Sequence, residues 1–232
     1  DPILAAVGYK ATIFVLTSYA EGATTDGYYL TPSELKILQS TGRWSIGSHS
    51  ANGHEKYPID AEGSLGYFFS DNLWLSDKKR LETNAEFETR IAGDLIASKT
   101  YLEDLLGTEV IGFAFPFGEM GQSNNIDSNM RSQTVITVAD SLFKLIFYQF
   151  RSGEHFSEFI APDHPTKENL AMIHRIDTSN SQSGDDLLKM LKNGQQKSLP
   201  YTDTGEEDKG WVSVWGPQTV ENGQLNVTPP QD

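Results

Sequence analysis

Hydrophobic residues along this chain fall into two kinds of block, short unbroken runs and longer stretches with one apolar position in every three or four. Thr12, Ile13, Phe14, Val15 and Leu16 form an unbroken run, which predicts a strand over residues 11–18 buried on both faces. Trp44 and Ile46 mark a second strand end, and residues 110–115 a third. Further strands are expected at 142–150 and 170–176. Between them lie helical stretches with their own start signals. Thr31-Pro32-Ser33-Glu34 is a capping box with proline at the first helical position, and Gly42 follows the end of that helix. Thr83-Asn84-Ala85-Glu86 is a second capping box. It opens a long helix whose buried face runs Phe87, Ile91, Leu95, Ser98, Leu102, Leu105, with Gly107 as its stop. Residues 185–191 read as a last helix, with Asp185 and Asp186 as capping residues at its start. Strands alternating with helices predict an α/β sheet or barrel. Near the end, Trp211-Val-Ser-Val-Trp-Gly and Gln224-Leu-Asn-Val-Thr alternate at strand period and predict the opening of a further β domain.

Two of the strands run into residues that carry chemistry. Trp44-Ser45-Ile46-Gly47-Ser48 is followed by His49 and, five positions on, by His54. Imidazole is the commonest protein ligand for zinc and similar divalent metals. A spacing of five does not stack two side chains on one helix face, whereas a loop that folds back brings them together, and Gly53 is the residue with the freedom to let it fold. The alternative is a surface loop with two incidental histidines. The second strand ends in Phe115-Pro116-Phe117-Gly118-Glu119, a proline–aromatic–glycine turn whose Gly112, Pro116 and Gly118 also serve as plain turn punctuation. Barrel enzymes place their sites at strand carboxyl ends, and both segments sit there.

Taken together, Ser48-His49-Ser50-x-x-x-His54 and Phe115-Pro116-Phe117-Gly118 resemble the motifs of the NodB-homology polysaccharide deacetylases, carbohydrate esterase family 4. The similarity is greater to the branch of poly-β-1,6-N-acetylglucosamine deacetylases, with its longer histidine spacing and its Tyr/Phe-Pro-Tyr/Phe-Gly turn. Residues 10–15, 69–75 and 172–176 add weaker similarity, and the resemblance covers about residues 1–195. It implies a distorted (β/α) barrel and metal-dependent N-deacetylation of an N-acetylglucosamine-containing polysaccharide. The family's Thr-Phe-Asp-Asp-Gly motif, which supplies a general base and a third metal ligand, is not found in residues 1–232. The first residues read as the helix that follows that motif, so the expectation is a barrel without its first strand and a chain inactive by itself. The domains expected are a deacetylase-like one over 1–198, a linker over 199–210 and the opening of a β-sandwich-like domain over 211–232.

The resemblance also assigns roles. His49 and His54 would hold a divalent metal, zinc by ligand type, and the Phe117 backbone N–H would donate to the oxyanion, with Phe115, Pro116 and Gly118 against the substrate. His174, in Met172-Ile-His-Arg-Ile176, lies near the position of the family's acid, although a histidine at a strand end making a local hydrogen bond is the alternative. Arg175 reads as a partner for an interior carboxylate, and His155 and His164 as solvated loop residues. Trp74 is either a sugar-stacking residue or a core one. Glu55, Asp26 and Asp71 have no positional claim on the site.

Composition narrows the partners. Eighteen Lys and Arg against 32 Asp and Glu give a formal charge of -14, which disfavours nucleic acid and anionic membranes. The chain has no cysteine, so disulfides and thiolate metal sites are excluded. No apolar run reaches the ~20 residues of a membrane span. No Gly-x-Gly-x-x-Gly or phosphate loop supports a nucleotide enzyme. The substrate class implied by the resemblance places the protein outside the cell or at its surface. The competing function is a catalytically inactive deacetylase-like module that binds carbohydrate or acts as a scaffold.

Overall fold

The computed structural model describes residues 2–25, 27–122, 124–126, 130–149, 173–175, 183–185, 218–221 and 224–227. The chain divides into two compact units, Asp1–Tyr148 with Glu168–Ile173, and Gln149–Lys167 with His174–Asp232.

The first unit is an α/β layer. Helix α1 (Pro2–Val7) leads into strand β1 (Ala11–Val15), short helix α2 (Thr17–Glu21), helix α3 (Pro32–Ser40) and strand β2 (Trp44–Ser48). Two antiparallel hairpins follow, β3 (Lys56–Pro58) with β4 (Leu65–Tyr67) and β5 (Trp74–Leu75) with β6 (Arg80–Leu81). Then come the long helix α4 (Asn84–Leu106), strand β7 (Gly112–Ala114), a 3-10 turn (Pro116–Gly118), helix α5 (Arg131–Asp140), β8 (Leu145–Tyr148) and β9 (Ile173–His174). The sheet order is β1-β2-β7-β8-β9, with β1–β2, β2–β7 and β7–β8 parallel. Parallel neighbours put the carboxyl ends of β2 and β7 side by side, with Ser48 in register with Phe113.

Both capping boxes form. Thr31 and Thr83 each accept from the backbone N–H three residues on, and Glu34 and Glu86 each accept from the cap's own N–H. Glu86 also takes Arg80 and Lys78 as donors, and these bonds hold its carboxyl well below the usual range. Gly107 closes α4 in the left-handed region at φ 67. The predicted stripe of α4 is buried at Phe87, Ile91, Leu95, Ser98 and Leu102, whereas Leu105 is only half-buried. Val15, Phe113 and Ile146 of the sheet are buried as well, and Phe113 joins Phe69, Phe115 and Phe143 in one aromatic cluster. Each such ring, fully buried, stabilises the fold by roughly 1.5–3 kcal/mol.

Helix α2 and the two hairpins are additions to the sequence expectation, and three further elements differ from it. The first strand ends at Val15 instead of Ser18, because His49 N–H takes the Val15 carbonyl and Thr17 N–H turns to the Ser50 carbonyl, leaving Thr17 to start α2. The strand expected over 142–150 begins only at Leu145, since the amides of Leu142 and Phe143 both bond back to the Ala139 carbonyl at the end of α5. Helix α5 has no counterpart in the sequence reading. Its run Thr134–Val138 is β-branched, yet Val135 and Ala139, four apart, are buried as it packs beside α4.

In the second unit the described residues include the antiparallel hairpin of β10 (Gln218–Glu221) and β11 (Gln224–Val227). This contains the strand expected at 224–228. Ser183–Asp185 is described and exposed. The expectations for His155, His164, Asp26, Asp186, the linker over 199–210 and the strand at 211–216 lie outside the described residues. No helix among the described residues is long and apolar enough to cross a membrane.

Candidate active site

The histidine loop is fixed before any ligand arrives. His49 directly follows β2, and its N–H donates to the Val15 carbonyl at 2.8 Å. Its Nδ1 lies 2.6 Å from the Ala114 carbonyl at the end of β7. A carbonyl can only accept, so Nδ1 carries the proton. The lone pair of the ring is therefore on Nε2, the tautomer of a metal-ligating histidine braced by a second-shell carbonyl.

Beyond His49 the chain folds back, and the residue that turns it is not the one expected. Gly53 has an ordinary backbone conformation, while Ser50 takes the left-handed region at φ 76. Ser50 is held there by its neighbours. Its N–H donates to Ser48 Oγ at 3.0 Å, its own Oγ accepts from Gly53 N–H at 2.8 Å, and its carbonyl accepts from Thr17. Gly53 is needed for space instead. A Cβ there would stand 2.3 Å from the Phe69 ring and 2.6 Å from Ser50 Oγ.

Asp94 on α4 supplies the main brace. Its carboxylate accepts from Ala51 N–H at 3.0 Å and Asn52 N–H at 2.8 Å, with the Asn52 side-chain amide at 3.3 Å. Burial pushes its carboxyl above the usual aspartate value, a stronger effect here than the hydrogen bonds that pull it down. The sequence reading missed Asp94. Its signal was an acidic residue three positions after Ile91, inside the apolar stripe of α4.

The Pro116–Gly118 turn comes to the same place. Phe117 adopts φ 58, a left-handed conformation that a residue with a side chain keeps only when its surroundings enforce it. Its ring stacks on His54 at 4.2 Å between centroids and 27° between planes. The turn is tied on its far side, where Ser70 Oγ donates to Glu119 at 2.8 Å and accepts from Gly121 N–H at 3.1 Å. The His49 and His54 rings are 5.3 Å apart, and all three side chains are half-buried. Two imidazoles sharing one tetrahedral ion at ~2.1 Å have centroids ~5 Å apart. The spacing of the two rings is compatible with a shared divalent ion, and the tautomer of His49 leaves Nε2 as the nitrogen that would meet it. Among the described residues no cluster of three histidine or acidic side chains stands ready for a metal.

The remaining candidates are placed as follows. Phe115 is fully buried against Phe69 and Phe113, so its ring anchors the turn from inside the core and offers no surface to a substrate. Pro116 and Gly118 are buried in the turn, and Trp74 is half-buried in β5 opposite Leu81. His174 lies in β9, and its side chain is outside the described residues. Asp71, set aside in the sequence as a loop residue, is 6% exposed and has a definite task. Its carboxylate accepts from Tyr67 N–H at 2.6 Å, and its own N–H donates to the Tyr67 carbonyl at 2.9 Å. Arg90 secures the same loop from α4, donating to the carbonyls of Phe68 and Asp71 and to both carboxylate oxygens of Glu82.

Comparison with known proteins points in one direction. The family model described as polysaccharide deacetylase matches residues 1–135. A poly-beta-1,6-N-acetyl-D-glucosamine N-deacetylase of Escherichia coli (strain K12) is 27% identical over 92 residues, which is 40% of this chain and 14% of that protein. Among solved structures, the BpsB deacetylase domain from Bordetella bronchiseptica superposes with a TM-score of 0.57 at 21% identity, covering 75% of this chain and 63% of that one. A de-N-acetylase from Aggregatibacter actinomycetemcomitans gives 0.63 at 15% identity, covering 82% and 68%. At these identities the two structures speak for the fold.

Proposed function

This chain belongs to the polysaccharide deacetylase family, and from that premise we propose that it serves the hydrolytic N-deacetylation of a polysaccharide containing N-acetylglucosamine. His49 and His54 hold a divalent ion, zinc by ligand type, and Phe117 offers its backbone N–H to the oxyanion. The observation that supports this reading is the His49 Nδ1 bond to Ala114, which leaves the ring's lone pair on Nε2, the nitrogen a metal would take, and ties the histidine loop to the strand that leads into the Phe117 turn.

A divalent ion in this position supplies Lewis-acid polarisation of the acetamide carbonyl and makes water nucleophilic near neutral pH. The protein's own contributions are positional. Asp94 and Ser50 hold the backbone of the loop that carries His49 and His54. The enforced backbone of Phe117 presents a donor that serves whatever the side chain is, so phenylalanine in place of the family's frequent tyrosine costs little. The leaving amine requires a proton, for which His174 is the chain's candidate. In the family a Thr-Phe-Asp-Asp-Gly motif supplies the base and third ligand, and no such motif is found in residues 1–232. The polymer class puts this work outside the cell or at its surface.

Acetate release from poly-β-1,6-N-acetylglucosamine in the presence of zinc tests the reading. Residues 1–232 joined behind a strand carrying the Asp-Asp motif should release acetate, and residues 1–232 alone should be about two to four orders of magnitude slower, the usual worth of a general base. Equal rates would place the base within these residues. No release from either polypeptide would favour the carbohydrate-binding or scaffold alternative.

A further inference from the structure

We propose that Tyr67 is a substrate-positioning residue, the wall against which a sugar ring of the glycan packs as its acetamide enters between His49, His54 and Phe117. The proposal rests on the deacetylase reading above and extends it to a residue outside both motifs.

Four aromatic rings form an unbroken line. His49 neighbours His54 at 5.3 Å, His54 stacks on Phe117 at 4.2 Å, and Phe117 meets Tyr67 at 5.5 Å with the planes 60° apart. Tyr67 is the last residue of β4, and it is half-buried, so part of it faces outward beside the site. The inserted hairpin β3–β4 thus brings an aromatic side chain to the ring of the oxyanion turn.

Its placement is rigid. Asp71, itself 6% exposed, holds both the N–H and the carbonyl of Tyr67, and Arg90 holds the carbonyls on either side of this turn, at Phe68 and Asp71. Gly66 allows the buried carboxylate this close, because a Cβ there would meet Asp71 Oδ2 at 2.3 Å. The buried acid fixes the Tyr67 backbone and Arg90 the carbonyls of the same turn, which sets the point from which the ring projects, as a positioning residue requires.

The ring's chemistry also suits a sugar. Lys56, its cross-strand partner, carries its ammonium 4.5 Å above the Tyr67 centroid. That face is the electron-rich one that attracts positive charge. The C–H face of a pyranose bears the same sign of partial charge and is apolar, so it takes the place of the ammonium on the same π surface. Lys56 is exposed on a flexible stem, so it can withdraw and donate hydrogen bonds to sugar hydroxyls at the ring's edge.

The test is a saturation-transfer NMR titration of the chain with a β-1,6-linked N-acetylglucosamine pentamer, run beside a zinc titration on the same samples. Tyr67→Ala and Tyr67→Leu should each weaken pentamer binding about tenfold or more, ~1.4 kcal/mol, while Tyr67→Phe stays within about threefold of the parent. Zinc affinity should stay within about twofold in all three. Pentamer binding by both ring-less variants as tight as the parent's would overturn the proposal. So would a parallel loss of pentamer and zinc binding, which would make Tyr67 a prop for the turn and not a substrate contact. A parent chain that binds zinc but no pentamer would remove the glycan reading itself, and this proposal with it.

Discussion

His49→Ala should lower zinc affinity by more than about 100-fold, beyond the 10- to 100-fold that loss of a second-shell partner brings. Two effects combine in that loss. The variant removes one of the two ring ligands that the loop offers, and it also removes the ring's bond to Ala114, leaving only the backbone bond to Val15 to hold the start of the loop. His54→Ala should fall nearly as far, since an ion with one imidazole left has little to hold it, and in this variant the stacking partner of Phe117 is lost as well. Equilibrium dialysis with zinc measures both. An affinity unchanged in either variant would mean that the ion binds elsewhere.

Asp94→Ala should cost about 3 kcal/mol of folding stability, because two backbone N–H groups lose a charged acceptor in a buried place. For a folded unit of this size that is a fall in Tm of roughly 6–12 °C. Asp94→Asn should lie between, keeping an oxygen for Asn52 N–H but turning an NH2 group toward Ala51 N–H. Zinc affinity should drop about 10- to 100-fold in the alanine variant, as for other second-shell losses. A thermal melt of Asp94→Ala that superimposes on the parent's would show that the loop does not depend on this carboxylate.

The features legible in the sequence were those that local chemistry determines. Thr31 with Glu34, and Thr83 with Glu86, announce helix starts because each pair satisfies its own amides within four residues. The α4 stripe from Phe87 to Leu102 is legible for the same reason, one periodicity within one element. His49 and His54 stand out by residue type and by their place after an apolar strand, and Phe117 through the resemblance of its turn to the deacetylase motif; the structure brings the three rings together. Partners distant in sequence left no such trace. Asp94 is 42 positions from Asn52, and Ser70 is 49 from Glu119. The turn expected at Gly53 falls to Ser50, because Ser50 has three hydrogen bonds to hold a left-handed backbone, while Gly53 lies under the Phe69 ring. Helix α5 was hidden by Thr134–Val138, whose β-branched side chains favour a strand until packing beside α4 decides otherwise. Tyr67 was passed over in favour of Trp74, since nothing in a hairpin's sequence tells which of its aromatic residues meets a turn 50 positions away.

In the proposed site His49 and His54 together bind one divalent ion, with His49 using the nitrogen that Ala114 leaves as acceptor. Long-range ¹H–¹⁵N NMR of the imidazole nitrogens, recorded before and after one equivalent of zinc, tests it most directly. His49 Nδ1 should be protonated throughout, His49 Nε2 should move to the shift of a metal-bound nitrogen, and one nitrogen of His54 should move with it at the same zinc concentration. Zinc binding at His49 Nδ1, or zinc that leaves both rings unperturbed, would contradict it.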